Sequence, residues 1–298
     1  VPLVLEKVYR KMIMPMLEQG PMSIAMKIPF VNTALYAIIK AKLMESFGGE
    51  AKIFIVGGAP MNQETEAFLR KINFPLTIGY GMTECAPLIS FAAPCEFKAG
   101  SCGKYLPGLM EAKIDSKDPQ NIAGEILVYG ENVMMGYYKN EEATKAVFTE
   151  DGWFRTGDLA CFDKDGWLYI KGRLKNMILG PSGENIYPED IESVLNQHVF
   201  ISESLVTEHE GHLVALVNFD KEAIKARYEE LMEDWEEKKE EWGKIRDEIM
   251  EDIKQWINSK VNRNSRITEV VEEEDEFVKT PSKKIRRFLY DGRGKKKE

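Results

Sequence analysis

The chain has 298 residues, 44% of them hydrophobic, 30% charged and 10% aromatic, which suits a globular protein with room for two domains. A formal charge of −9 argues against general nucleic-acid binding, so the basic ending (Lys283–Arg287, then Lys295–Lys297) reads as a solvated tail. Cys85, Cys95, Cys102 and Cys161 show no CxxC pairing, and no run approaches a membrane span or a signal peptide; a reducing, cytoplasmic setting fits best.

The chain opens in mid-pattern on Val1, as a piece of something longer would. Residues 3–18 and 34–47 carry apolar side chains at helical spacing, with Pro15, Pro21 and Pro29 as separators. Their modest charge favours core-facing or partner-facing helices over membrane-surface ones, although peripheral contact with the inner membrane face stays open. Lys52–Val56 reads as a strand ending in Gly57-Gly58-Ala59-Pro60, Asn62–Lys71 as a helix with acids in its first turn, and Phe74–Ile78 as a second strand. Strand, helix and strand within so short a span indicate a parallel βαβ unit, with both glycine-containing strand ends side by side.

The second strand runs into Tyr80-Gly81-Met82-Thr83-Glu84, at the kind of sheet edge where open α/β folds bind ligands. Tyr80 offers a stacking face, Thr83 a hydroxyl for a phosphate and Glu84 a hard oxygen for Mg²⁺. By itself the stretch reads more readily as an ordinary strand-end turn than as a nucleotide site. From Ser101 onward, Met110–Ile114, Gly124–Tyr129, Leu159–Asp163 and Trp167–Lys171 are short strands, with a helix over Glu141–Phe148, which suggests a small antiparallel barrel or distorted sheet.

The pattern-poor stretch Gly172–Asn185 marks a boundary, giving domains 1–173 and 174–298. Pro188–Gln197 is a helix with proline near its start, and Ser204–His209 with His212–Phe219 is a hairpin across Glu210-Gly211. The same hairpin accounts for His209 and His212 better than zinc does. Over Lys221–Val261 a narrow apolar stripe (Ile224, Tyr228, Leu231, Trp235, Trp242, Ile245, Ile249, Ile253, Trp256) runs through dense charge. It predicts one long helix, or two broken near Gly243, packed on its own domain or on a helical protein partner. Ile267–Val271 is a last strand and Pro281–Tyr290 a basic terminal helix.

In order along the chain, KIFIVGGAPM, GYGMTE, GEILVYGENVMMGYY, WFRTGDLACFDKDGWLYIKGRLKNMI, GENIYPEDIE and KTPSKKIRR resemble the motifs of adenylate-forming enzymes, the acyl-CoA synthetase and adenylation-domain superfamily. The SGENIYPEDIE wording and the KTPSKKIRRFLY ending are most similar to bacterial long-chain fatty-acid–CoA ligases. The resemblance implies an α/β fold: part of a large domain, built from the βαβ unit and the antiparallel sheet, then a complete small α+β domain with a long charged helical insertion. It also implies ATP-dependent activation of a fatty acid to an acyl-adenylate, then transfer to CoA, with ATP or AMP, Mg²⁺ and CoA as ligands.

Under that resemblance Gly58, Ala59 and Pro60 line the adenine pocket, Tyr80 stacks on the base, Gly81 belongs to the same nucleotide site, Thr83 meets a phosphate and Glu84 holds Mg²⁺. Asp158 and Arg173 address the ribose. Lys175 is the hinge between adenylating and thioester-forming poses, and Gly183, Glu184 and Asn185 complete the CoA tunnel. Lys284 best matches the family's catalytic lysine, but the usual Gly-Lys pair is missing and Lys283 stays an alternative. The family's phosphate loop ending in Pro-Lys-Gly has no counterpart here, so this stretch is expected not to turn over alone. Two rivals remain: an aryl-CoA or carrier-loading adenylating enzyme, and a non-catalytic nucleotide- or CoA-binding module.

Overall fold

The computed structural model of the protein describes residues 2–18, 20–28, 30–58, 60–106, 108–181, 183–228, 239–281 and 284–290. The chain divides into two compact units, Val1–Lys171 and Gly172–Glu298.

The first unit begins with helical segments. The α-helix Pro2–Val8 widens into a π-turn over Tyr9–Ile13 and returns to α geometry over Met14–Glu18. Pro15, read as a separator, lies inside this run. Proline lacks an N–H and its ring crowds the carbonyl four residues back; the wider turn just before it, where Met14 N–H donates to Tyr9 O, relieves that conflict. Leu5, Tyr9 and Ile13, four residues apart, face inward with Ile39 and Leu43 of the helix Val31–Ser46.

They pack on a βαβ unit, as the sequence implied. Strands β1 (Phe54–Val56) and β2 (Leu76–Ile78) are parallel, with Phe54 opposite Leu76 and Val56 opposite Ile78. The connecting helix Gln63–Lys71 is capped by Asn62, whose side chain accepts from Thr65 N at 2.9 Å, and buries Phe68 and Leu69. Other apolar side chains of this region point outward, among them Met12, Ile24, Phe30, Ile38, Ile53 and Ile55.

Next come two antiparallel sheets. One joins β3 (Tyr80–Gly81), β4 (Leu88–Phe91) and β5 (Lys104–Tyr105); the other joins β6 (Met110–Asp115), β7 (Gly124–Gly130), β8 (Phe154–Phe162) and β9 (Leu168–Arg173) in that order. Neither closes: among the described strands none pairs β9 back to β6, so the barrel considered from sequence is an open sheet. Four strands are too few to wrap a filled barrel. The core between the sheets holds Tyr80, Cys85, Ile89, Ile126, Val128, Phe154 and Leu168.

In the second unit β10 (Ile178–Leu179) and β11 (Asn185–Ile186) form a small hairpin ahead of the helix Pro188–Leu195. Strands β12 (Ile201–His209) and β13 (His212–Phe219) form the predicted long hairpin. Glu210 and Gly211 both have positive φ, 51° and 80°, the requirement of the tight turn that matches strand twist. His209 and His212 are the pair closing that turn, and no group of three metal-ligating side chains occurs among the described residues. Strand β14 (Glu269–Glu272) adds to β13 in parallel.

The helix Lys239–Lys260 runs through Gly243 unbroken, which removes the alternative of a break there; Ile249, Ile253 and Ile257 lie on the core beside Ile224. Leu231 and Trp235 of the stripe lie outside the described residues. No helix among the described residues is long and apolar enough to cross a membrane. The terminal helix is not formed. Lys279 instead bridges Ile285 in antiparallel fashion, followed by a 3-10 turn at Arg287–Leu289. The extended return lets Ile285, Leu289 and Tyr290 join Phe277 in one cluster on Leu205, Val214 and Leu216, where Tyr290 OH also accepts from Val278 N at 2.8 Å.

Candidate functional site

The ends of β1 and β2 are drawn together by glycine. Gly79 N donates to Val56 O at 2.9 Å, and a Cβ on Gly57 would lie 2.7 Å from Gly79 O, so only glycine permits the approach. Gly58 and Pro60 follow at the exposed edge; Ala59 lies outside the described residues.

Past Gly79 the chain folds back sharply. A Cβ on Gly81 would lie 2.0 Å from Pro87 O, and Met82 N donates to that oxygen at 2.7 Å. The 3-10 turn Thr83–Cys85 ends on Ala86 at φ 56°. This leaves Thr83 exposed and Glu84 half-buried, with Tyr137 OH donating to Glu84 Oε1 at 3.1 Å. Burial, and then the Glu84 carboxylate, raise the Tyr137 phenol, so it keeps the proton that it donates. Cys85 is fully buried, and burial with the nearby Glu84 charge pushes its thiol up to about 12; it is a core residue, not a nucleophile.

Asp158 is aimed by a distortion in β8. Glu125 pairs with Leu159 and Leu127 with Arg155, so Thr156, Gly157 and Asp158 together oppose Ile126. Such bulges redirect side chains. Glu125, itself buried, secures this one by accepting from Gly157 N at 3.0 Å and Arg155 Nη1 at 2.7 Å. Thr156 Oγ1 donates to Ile126 O and accepts from Asp158 N. The result is a buried contact in which Tyr80 OH donates to Asp158 Oδ2 at 2.7 Å, with the two residues 9% and 7% exposed. Desolvation and the adjacent carboxylate raise the Tyr80 phenol well above its usual range, which keeps it the donor. At 9% exposure Tyr80 has only part of its ring free to meet a base.

The first unit thus brings together Tyr80, Gly81, Thr83, Glu84 and Asp158, with Gly58 and Pro60 on the paired neighbouring strand end. Glu84 is the only carboxylate in the turn. A magnesium ion there would take one protein oxygen and complete its shell from phosphate and water, as that ion commonly does.

The remaining residues lie in the second unit. Arg173 ends β9, and Lys175 is exposed in the 3-10 turn Leu174–Asn176. Gly183, at φ 82°, Glu184 and Asn185 occupy the β10–β11 hairpin. Gly180 N donates to Glu184 O at 2.8 Å, and the Glu184 carboxylate lies where a Cβ of Gly180 would be. Lys284 is exposed; its N–H donates to Thr280 Oγ1 at 3.1 Å and its carbonyl accepts from Thr280 N at 2.8 Å. Lys283 lies outside the described residues. Sequence reasoning passed over Glu125, Tyr137 and Arg287. Glu125 did leave a signal, as the one acid in the apolar run GEILV.

Residues 22–138 match the AMP-binding enzyme family. The chain is 35% identical over 188 residues to the long-chain-fatty-acid–CoA ligase FadD15 of Mycobacterium tuberculosis, covering 63% of this chain and 30% of that protein. It is 35% identical over 185 residues to the luciferin 4-monooxygenase of Photuris pensylvanica, covering 59% and 34%. The o-succinylbenzoate CoA synthetase MenE of Bacillus subtilis, solved with the acyl-adenylate OSB-AMP, superposes with a TM-score of 0.65 at 27% identity, over 86% of this chain and 51% of that one. ATP-bound MatB of Rhodopseudomonas palustris superposes with a TM-score of 0.62 at 26% identity, over 84% and 47%. The chain therefore spans about a third of these curated relatives and about half of these solved structures. In its ordered motifs, its fold and these matches, the chain is similar to the adenylate-forming, AMP-binding enzymes.

Proposed function

We propose that this chain supplies the nucleotide-binding wall and the mobile domain of an AMP-forming acyl-CoA ligase acting on long-chain fatty acids. The observation that carries the reading is the buried Tyr80–Asp158 hydrogen bond set directly beside the Thr83–Glu84 turn. It gathers an aromatic ring, a carboxylate, a hydroxyl and a second carboxylate, the groups that adenine, ribose, phosphate and a hard cation require.

The chemistry assigns each group a task. A fatty carboxylate attacks the α-phosphorus of ATP, pyrophosphate leaves, and the CoA thiol then attacks the acyl carbon and expels AMP. Asp158 can accept from both ribose hydroxyls once the nucleotide arrives, and Arg173 adds a planar fork of donors on that side. Thr83 donates to a phosphate oxygen. Magnesium, when bound through Glu84, supplies positive charge against the phosphates. Lys284 stabilises charge on the forming adenylate, Lys175 is the pivot, and Gly183–Asn185 contact CoA in the second pose. Long-chain acids are favoured because the curated relatives matched include long-chain-fatty-acid–CoA ligases of bacteria, mammals and yeast.

Pyrophosphate exchange into ATP by the full-length protein, measured with acetate, palmitate and an aromatic acid in turn, tests this. Palmitate should support the fastest exchange, and Lys284→Ala should slow it by about 100-fold or more. Exchange confined to the aromatic acid would replace the fatty-acid assignment, and AMP binding without exchange for any acid would leave a nucleotide-binding module.

A further inference from the structure

The second unit contains a partly buried charge cluster, drawn from two of the quoted motifs, to which the reaction assigns no role. Arg287, 23% exposed in its side chain, contacts Glu192 Oε2 through Nη2 and donates from Nη1 to Val206 O at 3.2 Å. Its Nε lies 3.8 Å from Glu189 Oε1. Glu192 Oε1 accepts from Val206 N at 2.6 Å, so Glu192 and Arg287 together hold both polar groups of one β12 peptide residue. Burial pushes the Glu192 carboxyl up, against the pull of Arg287.

Glu189 also reaches the other way. Its Oε1 accepts from Asn176 Nδ2 at 2.6 Å, and its carboxylate packs on Gly172, where an added Cβ would lie 2.6 Å from Oε2. That Oε2 is buried without a hydrogen-bond partner in the structure. One helix turn therefore grips two distant segments: Gly172–Asn176, which contains Lys175, and the segment that carries Lys284 three residues before Arg287. Withdrawing two carboxylates and a guanidinium even partly from water is a costly way to fill space, since apolar side chains of similar volume commonly serve as well or better. What the cluster adds is fixed relative position.

We propose that Glu189, Glu192 and Arg287 form a rigid joint that locks the Lys284 segment to the Gly172–Asn176 pivot, with Arg287 as a positioning residue for adenylation. Rotation at the pivot then carries Lys284 as the tip of a lever, and the lysine's reach is set by the joint rather than by its own exposed loop. This inference rests on the reading of Lys284 as the adenylating lysine.

The test compares Arg287→Gln, Arg287→Lys and Lys284→Ala in the full-length protein. Acyl-adenylate formation is measured separately from thioester formation on supplied acyl-adenylate. Arg287→Gln should lower kcat for adenylation by about 10- to 100-fold, the effect of misplacing a reacting group by about an ångström. KM for ATP and the thioester step should stay within about 2-fold, because Lys284 serves neither. Arg287→Lys should recover part of the loss, since it retains the charge without the fork. Should Arg287→Gln fail to fold, Glu192→Gln asks the same question while keeping a carbonyl for Val206 N–H. Equal losses in both half-reactions, or none in either, alongside a Lys284→Ala defect confined to adenylation, would overturn the joint as a positioning device. A Lys284→Ala variant that adenylates normally would remove the underlying reading, and the inference with it.

Discussion

Tyr80→Phe is the most direct probe of the candidate site, because it removes one oxygen and leaves the ring. That oxygen donates at 2.7 Å to the Asp158 carboxylate, and both residues are less than a tenth exposed. A hydrogen bond to a charged group contributes about 1.5–3 kcal/mol, and a buried carboxylate deprived of a donor keeps its desolvation cost. Destabilisation of about 2 kcal/mol should follow. In a folding unit of this size that lowers Tm by roughly 4–8 °C. Thermal unfolding of wild-type and variant full-length protein reads the shift, and calorimetric titration with AMP reads the site. Under the proposed reading the affinity for AMP should change by less than about 3-fold, because the ring face persists and Asp158 is released for the ribose. A variant as stable as wild type, within about 0.5 kcal/mol, would refute the claim that this hydrogen bond organises the site.

Three other perturbations test neighbouring links. Glu125→Ala leaves Gly157 N–H without its acceptor and should cost about 1–3 kcal/mol while weakening AMP binding; Glu125→Gln should restore most of both, as unfolding and titration can show. Gly81→Ala puts a methyl 2.0 Å from Pro87 O and should destabilise by about 1–3 kcal/mol or more, with loss of ATP-dependent activity as Thr83 and Glu84 are displaced. His198 is packed against Phe200 and Trp256, and burial lowers its pKa against the opposing pull of Asp252. A folded-state value below the unfolded 6.5 means that its contribution is intact above pH 6.5 and is lost as pH falls below it. The second unit should lose stability below pH 6.5 by at most about 1.4 kcal/mol per pH unit, and His198→Asn should flatten that slope in a pH series of denaturant melts.

What the sequence foretold was local in origin. The βαβ unit follows from apolar runs closed by glycine and from the Asn62 cap, and the β12–β13 hairpin from Glu210-Gly211, a pair able to take two positive φ angles. Departures arose where distant contacts outweighed local preference. Pro15 stays helical because a π-turn absorbs it, and the end of the chain forms a bridge at Ile285 and a 3-10 turn at Arg287–Leu289 instead of a helix because Ile285, Leu289 and Tyr290 join one cluster with Phe277. The antiparallel strands are real, but whether their edges meet is a matter of strand count and tilt that short apolar runs do not encode. In the site, the motif residues of the first unit converge on one strand-end turn, while their support from Glu125 and Tyr137 was hidden. A supporting residue is defined by what it touches across 32 or 53 positions of sequence, not by a pattern of its own.

The two sets of candidate residues differ physically in a way that matches two kinds of task. Tyr80 and Asp158 are buried and bonded to each other, and their surroundings are pinned by glycine contacts and by Glu125. Groups held this way cannot be exchanged between steps, but they can bind the same nucleotide throughout a reaction. Lys175, Gly183, Asn185 and Lys284 are exposed, on a turn, a short hairpin and an irregular segment. Side chains of that kind can enter and leave a pocket without breaking a core, which a site running two successive chemistries requires. The difficulty with such an arrangement is precision, since an exposed lysine on a loop has many places to be. Under the proposed reading the partly buried Glu189, Glu192 and Arg287 cluster supplies what the exposed segments lack, because it ties the Lys284 segment to the same helix that holds Gly172–Asn176. On that reading, mobility at a hinge and rigidity in a lever are complementary demands, and the second unit would meet each with different residues.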